Sequence, residues 1–152
     1  MKALAVLAIV ALSAPAPASE AAKLRATSTI AGISIGASKD ETKAVLGSPT
    51  EIRNTGDAMD PEWHFGSKVV VAFWGDNGRV AEIRATGPTS CTDTGVCPGM
   101  GLSEIQRVLG RPVGGAQLAE GSNPYPTTYD TCWLDVAIHG GRVASIAIRC
   151  QP

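Results

Sequence analysis

The feature that most constrains this chain is a match between its two halves. When the 152-residue sequence is shifted against itself by 63 residues, 13 of the 52 positions from 32 to 83 are identical without a gap. The identities cluster at both ends of the unit, so we interpret the chain as a duplication: repeat 1 spans 32–87, a linker spans 88–94 and repeat 2 spans 95–152. The matching pairs include Gly36 with Gly99, Glu41 with Glu104, Gly47 with Gly110, Pro49 with Pro112, and the run from Gly78 to Ala81 with the run from Gly141 to Ala144.

Each repeat opens with a pattern that is typical of a short helix. In repeat 1 the helix is predicted over residues 38–46, where Ser38 and Glu41 have the spacing of a capping box. Gly47 stands where a helix ends in a left-handed residue, and Pro49 prevents its continuation. The equivalent helix of repeat 2 is predicted over residues 101–109, with Ser103 and Gln106 in the capping roles.

Two alternating β runs close each repeat. The predicted fold class is therefore α+β, with two tandem repeats, each a short helical segment packed on an antiparallel β-sheet. A unit of about 60 residues has a marginal core on its own. We therefore expect the two repeats to fold as one cooperative body.

Alternation of side chains fixes a register for the second hairpin, because the apolar residues of both strands must share one face. That register places Cys132 opposite Cys150. It also predicts the pairs Leu134–Ile148, Val136–Ile146 and Ile138–Ala144, and the same scheme in repeat 1 predicts Phe73–Ile83 and Val71–Ala85.

The four cysteines allow three pairings. The hairpin register favours Cys132–Cys150, which leaves Cys91–Cys97 as a small loop, and we predict both as structural disulfides. Zinc or redox chemistry is disfavoured, because the chain has only two histidines and lacks a C-x-x-C motif. We expect neither a metal ion nor a cofactor.

The N-terminus has the pattern of an export signal. A positive charge at Lys2 precedes an apolar run over residues 3–12, and small residues lead to a cleavage point after Ala18. We predict a signal peptide over 1–18, followed by an N-terminal segment over 19–31. The mature chain has no apolar run long enough to span a membrane and no cysteine near the cleavage point for a lipid. The predicted location is periplasmic or secreted.

Charge and composition limit the partners. The chain has 13 basic and 14 acidic residues, a formal net charge of −1, and this offers no electrostatic footprint for nucleic acid. A hydrophobic fraction of 44% is enough for a folded core. We expect another protein as the partner, with no nucleic acid and no integral membrane segment in the mature chain.

The candidates for catalysis are weak. Residues 32–36 match the G-x-S-x-G elbow around Ser34, but that motif requires a large parallel sheet for which the chain is too short. His64 and His139 are the only histidines, and they do not align in the repeat. Asp135 lies four residues before His139 on the predicted strand, roughly 13 Å away, which is too far for a hydrogen-bonded pair. We therefore predict that the chain is not an enzyme.

The polar face of the predicted strands is more informative, because tryptophan and arginine dominate protein interfaces. We predict a binding surface there; the alternative is that its tryptophans pack under long loops or between the repeats, and both interpretations stay open. The surface comprises Trp74, Glu82, Arg84, Trp133, Asp135 and Arg149.

The second repeat also resembles a known family. Its run from Pro98 to Ile105, followed by Val108-Leu109-Gly110-Arg111-Pro112 and a later Gly-Arg-Val, resembles the SmpA/OmlA domain, which includes the smallest lipoprotein subunit of the outer-membrane barrel-assembly machinery. Two such units in tandem, secreted and with disulfides, resemble the β-lactamase inhibitor protein fold. The resemblance implies helices packed on an antiparallel sheet in each unit and a role in binding other proteins. Unlike single-copy lipoproteins, this chain is duplicated and lacks a lipid-attachment cysteine.

The leading hypothesis is a secreted or periplasmic protein-binding module, such as an inhibitor or an envelope-assembly accessory. A second hypothesis is a small periplasmic ligand carrier that uses the groove between the repeats. A third is a small hydrolase that uses Ser34 or a histidine.

Overall fold

The computed structural model describes residues 26–151 as nine strands and two short helices. The predicted signal peptide and residues 19–25 lie outside the described residues. Within the described range, no helix is long and apolar enough to cross a membrane. The elements are β1 (Thr29–Ile30), β2 (Ile33–Ser34), α1 (Lys39–Leu46), β3 (Glu51–Arg53), β4 (Glu62–Phe65), β5 (Val69–Phe73), β6 (Val80–Ala85), α2 (Leu102–Leu109), a 3-10 turn (Val113–Gly115), β7 (Gly121–Pro126), β8 (Cys132–His139) and β9 (Arg142–Cys150).

Most of this structure is a single antiparallel sheet. Seven strands form it in the order β3-β4-β5-β6-β9-β8-β7, and β1 and β2 form a separate hairpin. The prediction of an α+β fold with two tandem units, each a helix on its own sheet, is therefore wrong. Some backbone hydrogen bonds do recur at the 63-residue spacing, such as Gly36 N to Val80 O and Gly99 N to Val143 O, but both halves belong to this one body.

The halves merge because β6 pairs directly with β9. Ile83 lies opposite Ile148, and Ala85 lies opposite Ile146. If each half had kept its own sheet, β6 and β9 would both be edges with unpaired N–H and C=O groups. The pairing removes both edges and joins the two apolar faces. Periodicity within either half could not reveal it, since it links residues far apart in sequence.

Helix α1 begins as predicted. Ser38 is its N-cap; the Ser38 Oγ accepts from Glu41 N at 3.1 Å, and Glu41 Oε2 accepts from Ser38 N at 2.6 Å. These hydrogen bonds, the one from the Ser38 backbone above all, lower the pKa of Glu41. Gly47 ends the helix with a φ of 81°, and its N–H donates to Lys43 O.

Helix α2 is capped differently from the prediction. Its N-cap is Gly101, whose backbone N–H donates to Glu104 Oε2 at 2.8 Å, so the predicted pairing of Ser103 with Gln106 is wrong. A glycine can hold the extended cap conformation without a side-chain acceptor. The buried positions of α2 are Ile105 and Leu109, one turn apart.

The β8–β9 hairpin follows the predicted register along most of its length. Cys132 lies opposite Cys150, Leu134 opposite Ile148 and Val136 opposite Ile146. A bulge between Ala137 and Ile138 then shifts the pairing, so Ile138 faces Val143 and the predicted pair Ile138–Ala144 is wrong.

The β5–β6 hairpin differs from the prediction by two residues. Ile83 faces Val71 rather than Phe73, and Ala85 faces Val69 rather than Val71. The turn and a bulge together set the observed register: Trp74 N donates to Arg79 O, and the pairing shifts again between Ala72 and Phe73. A shift of two residues keeps every side chain on its expected face.

The core lies on one side of the sheet. Ile30 of β1, Ile33 of β2, and Ile105 and Leu109 of α2 pack there with the inward side chains of the strands, and each is at most 2% exposed. Helix α2 and the β1–β2 hairpin therefore cover this side. We call the opposite side of the seven-stranded sheet the open face.

Candidate functional site

The open face is organised as two rows of side chains that cross all seven strands. Residues that are directly opposite in neighbouring antiparallel strands project to the same side. From β7 to β3, the first row is Pro126, Trp133, Arg149, Glu82, Ala72, Glu62 and Arg53. The second row is Pro124, Asp135, Ala147, Arg84, Val70, His64 and Glu51.

A chain of polar and ionic contacts runs across the middle of this face. The contacts join His64 Nε2 to Glu62 Oε2 (3.2 Å), Glu62 Oε1 to the Arg84 guanidinium (2.9 Å), Arg84 Nε to Glu82 Oε1 (2.9 Å) and Glu82 Oε1 to Arg149 Nε (3.7 Å). We call these five residues the charge ladder. Carboxylates and arginines alternate from Glu62 to Arg149, so each carboxylate contacts at least one arginine.

Small residues on β5 make the ladder possible. Ala72 lies opposite both Glu62 and Glu82, and its short side chain lets Arg84 reach across β5 to Glu62. The Arg84 Nε atom is buried and close to Glu82 but lacks the alignment of a hydrogen bond, so this contact is Coulombic. Arg84 is therefore held between two carboxylates.

Arg149 is the least engaged cation of the ladder. Its side chain is 45% exposed, and its contact at 3.7 Å is with a Glu82 oxygen that lies closer to Arg84. The Arg149 guanidinium therefore keeps most of its hydrogen-bonding capacity for another acceptor.

Trp133 lies next to Arg149, directly opposite it across the β8–β9 pair. The indole is partly exposed, and on its other side it faces Pro126 of β7. Pro124 is two residues along the same strand and exposed. These three residues form the apolar end of the open face, and Asp135, which accepts a hydrogen bond from the Ser122 hydroxyl, borders it.

Both edges of the sheet are obstructed. On β7, Pro124 and Pro126 remove two backbone donors, and Thr27 N already donates to Pro126 O. On β3, which has three residues, Arg53 makes two hydrogen bonds to Glu51, at 2.7 and 2.9 Å, and these lower the pKa of Glu51. Neither edge favours an added strand.

The predicted binding residues divide into two groups. Glu82, Arg84, Trp133, Asp135 and Arg149 lie together on the open face. Trp74 lies apart, in the turn after β5, roughly 14 Å from Trp133 by three strand spacings. It lines a cavity of about 520 Å³ with residues from other segments.

The catalytic candidates are not brought together. Ser34 lines a cavity of about 410 Å³ beside Glu41 and Arg79, and neither histidine lines it. His64 belongs to the charge ladder, and His139 is exposed at the end of β8. Within residues 26–151, the described side chains contain no cluster of three potential metal ligands.

Both predicted disulfides are present. Cys91–Cys97 closes a short loop, and Cys132–Cys150 joins β8 to β9. Disulfides persist in oxidising compartments, so the two bonds agree with a chain that is exported from the cytoplasm.

Part of the open face was not predicted from the sequence. Glu62 and His64 are ladder residues, and Pro124 and Pro126 flank Trp133, but none of them was a candidate for the surface. Alternation along β4 could have revealed Glu62 and His64, since Trp63 between them is buried. Pro124 lies on β7, whose proline content is atypical of a strand.

Comparison with known proteins shows the fold alone. No protein-family model and no curated protein sequence matches the chain. Among solved structures, an extracellular protein containing a SCP domain from Bacillus anthracis str. Ames is similar over 77% of this chain and 44% of its own length, with a TM-score of 0.61 and 9% identity. A cysteine-rich secretory protein from Staphylococcus aureus subsp. aureus Mu50 is similar over 77% of this chain and 43% of its own length, with a TM-score of 0.54 and 12% identity. A DUF4309 family protein from Bacillus subtilis subsp. subtilis str. 168 is similar over 79% and 83%, respectively, with a TM-score of 0.50 and 16% identity.

These comparisons correct the family resemblance. The similar structures belong to SCP-domain, cysteine-rich secretory and DUF4309 proteins, so the resemblance to the SmpA/OmlA domain and the β-lactamase inhibitor protein is wrong. The motif that suggested it, a short helix followed by Gly-x-Pro, is a general way to end a helix and does not identify a family. The chain spans less than half of the SCP-domain and cysteine-rich secretory proteins, and at these identities the likeness establishes a shared fold.

Proposed function

We propose that this chain is an exported protein-binding module, in the periplasm or outside the cell, and that it docks its partner on the open face. The observation that carries the proposal is the position of Trp133 on the side of the sheet away from the core, directly beside Arg149, whose guanidinium has a single ionic contact among the described residues, at 3.7 Å. Tryptophan and arginine are the residues most enriched among those that dominate binding energy.

The expected partner is a folded protein of specific chemistry. Its contact surface presents an apolar side chain to Trp133 and Pro126, and a carboxylate to Arg149. The carboxylate follows from the geometry of the ladder, because Glu82 is already shared with Arg84 and leaves Arg149 with spare donors. The obstructed sheet edges favour a contact through side chains over strand addition.

Site-specific photo-crosslinking in the producing cell tests this proposal. A photoreactive residue is placed either at Ser145, on the open face beside the second row, or at Val45, which is 54% exposed on α1. We expect a protein adduct from position 145 that position 45 does not form. Trp133→Ala and Arg149→Glu should each lower the yield of this adduct, whereas Arg107→Glu, at an exposed position on α2, serves as the matched charge control.

Once the adduct is identified by mass spectrometry, the Kd of the purified protein and its partner shows how much each substitution weakens binding. Trp133→Ala should raise Kd by about 30-fold, the equivalent of roughly 2 kcal/mol at an interface centre. Arg149→Glu should raise Kd mainly at low salt, since salt screens charge contacts at an interface. The proposal fails if position 145 forms no adduct, or if its adduct resists both substitutions.

A further inference from the structure

A second site lies beside the β5–β6 turn, in the cavity of about 520 Å³ that Trp74 lines. Its lining residues come from three segments that are distant in sequence: Ala58 from the loop between β3 and β4, Trp74 to Asn77 from the β5–β6 turn, and Gln151, which follows β9. The volume falls within the range of about 300–1,000 Å³ that is usual for small-ligand sites.

The backbone around this cavity is held in place before any ligand arrives. Trp74 N donates to Arg79 O and Gly78 N donates to Trp74 O, both at 2.8 Å, which closes the turn. Gly75 N donates to Ala58 O at 3.1 Å and ties the turn to the neighbouring loop.

The loop between β3 and β4 is also held by hydrogen bonds of its own. The Asp60 carboxylate accepts from Thr55 N and Gly56 N, each at 3.2 Å, and the Asp57 carboxylate accepts from Met59 N at 2.9 Å. A site whose walls are ordered in this way loses little conformational entropy on binding.

The side chains of the cavity combine one aromatic ring with three polar groups. Trp74 is partly exposed, and Asp76, Asn77 and Gln151 are exposed around it. Asn77 Oδ1 accepts from Arg79 N at 2.9 Å, which orients its amide and leaves the amide N–H groups as donors. The polar set thus supplies a carboxylate that only accepts and two amides that both donate and accept.

This combination matches one class of ligand. A pyranose ring has an apolar C–H face that can lie against an indole, and a rim of hydroxyl groups that each donate and accept. None of the cavity's lining residues is basic, which disfavours a phosphate or a carboxylate ligand. A simple cation would use the carboxylate and the indole but not the amide donors.

We propose that this cavity binds a neutral pyranose unit, with the sugar ring on Trp74 and its hydroxyl groups on Asp76, Asn77 and Gln151. Neither Trp133 nor Arg149 lines this cavity, although Gln151 follows Arg149 by two residues, so the sugar site and the protein-docking surface can be tested separately. The sugar is either a free saccharide or a terminal unit of a glycan chain, and the two sources share this chemistry.

NMR titration of the whole mature chain tests the proposal. The probes are glucose, N-acetylglucosamine and chitotriose, with tetramethylammonium chloride as the cation probe. We expect at least one sugar to shift the indole N–H of Trp74 and the side-chain amides of Asn77 and Gln151, with a Kd of about 1 mM or below. Tighter binding of chitotriose than of the monosaccharides assigns the site to a glycan chain, and equal binding assigns it to free sugars.

Variants keep the test specific. Trp74→Ala should weaken binding at least about tenfold, and Gln151→Ala, at an exposed position after β9, should weaken it without affecting the fold. Trp133→Ala is the matched aromatic control and should bind sugar as the wild type does. The proposal is overturned if no sugar shifts these signals, if Trp74→Ala leaves the shifts intact, or if only tetramethylammonium produces them.

Discussion

Ile83 of β6 lies directly opposite Ile148 of β9, and both side chains are completely buried. This pair stands at the centre of the seven-stranded sheet, where the strands of the first half meet those of the second. It explains why the chain forms one body: the apolar faces of both halves share a single core through it.

We expect Ile83→Ala to lower the free energy of unfolding by about 2–5 kcal/mol, because a buried isoleucine leaves a cavity when it is shortened. The loss should appear in a single cooperative transition that involves both halves. Urea unfolding followed by circular dichroism and tryptophan fluorescence measures it. Val113→Ala, at a position 53% exposed, is the control and should change the free energy by less than about 0.5 kcal/mol. Two separate transitions, with only one displaced by Ile83→Ala, would contradict a shared core.

The helices and the strand faces could be predicted from the sequence, and the joining of the halves could not. Capping residues and alternation are local, and they correctly indicated the helix beginning after Ser38 and the inward positions of β8 and β9. The pairing of β6 with β9 depends on contacts between residues more than 60 positions apart. Neither composition nor periodicity records which strand edges meet.

The two disulfides should differ in their effect on stability. Cys132–Cys150 closes a span of 18 residues, and Cys91–Cys97 closes a span of 6. In the chain-entropy description, removing them costs about 3 and about 2 kcal/mol, respectively, since a longer loop restricts the unfolded chain more. Paired alanine substitutions, compared by denaturant unfolding under non-reducing conditions, test this order. A larger loss from the shorter loop would contradict it.

Tyr125 should make the protein sensitive to alkali. Its side chain is fully buried, its hydroxyl donates to Gly110 O at 3.3 Å, and burial raises its pKa to about 12. The folded state therefore keeps a proton that the unfolded chain releases near pH 10, so this contribution is present below about pH 10 and is lost as the pH rises towards 12.

Tyr125→Phe separates the contribution of the hydroxyl's hydrogen bond from the effect of its titration at alkaline pH. At about pH 8 it should cost roughly 1 kcal/mol, the value of the lost hydrogen bond, while the fall in stability above pH 10 should become shallower. Tyr129→Phe is the matched control, because it also removes a hydroxyl that donates to a backbone oxygen, that of Ser28. Urea unfolding at about pH 8 and about pH 11 measures both. An unchanged alkaline slope in Tyr125→Phe would be the contrary result.

Glu82 should be the key carboxylate of the charge ladder for stability. Its side chain is 17% exposed and contacts both Arg84 and Arg149. We expect Glu82→Gln to lower the free energy of unfolding by about 1–3 kcal/mol, because the buried Arg84 Nε loses its nearest anion. Glu51→Gln, in an exposed ion pair, should leave stability unchanged within error. Equal effects of the two substitutions would show that the ladder contributes no more than a surface pair.

The candidate site was predictable only in part. The sequence indicated that Trp133 and Arg149 share the polar face, since both follow from alternation. It also grouped Trp74 with them, and the structure separates that residue because the turn from Trp74 to Arg79 carries it away from the centre of the sheet. Turn geometry depends on local hydrogen bonds that a strand pattern does not encode.

The Asp93 carboxylate holds the start of the described chain in place. The Asp93 carboxylate, within the Cys91–Cys97 loop, accepts from Ser28 N at 2.9 and 3.1 Å and from Thr29 N at 3.2 Å. Asp93→Ala should speed amide exchange at these two N–H groups about tenfold, the equivalent of roughly 1.4 kcal/mol of local opening. Exchange at Ile83 should remain as slow as in the wild type, since the core is not involved. Asp130→Ala removes an exposed carboxylate elsewhere and serves as the control. Unchanged exchange at Ser28 and Thr29 would mean that strand pairing alone holds the segment, without the carboxylate.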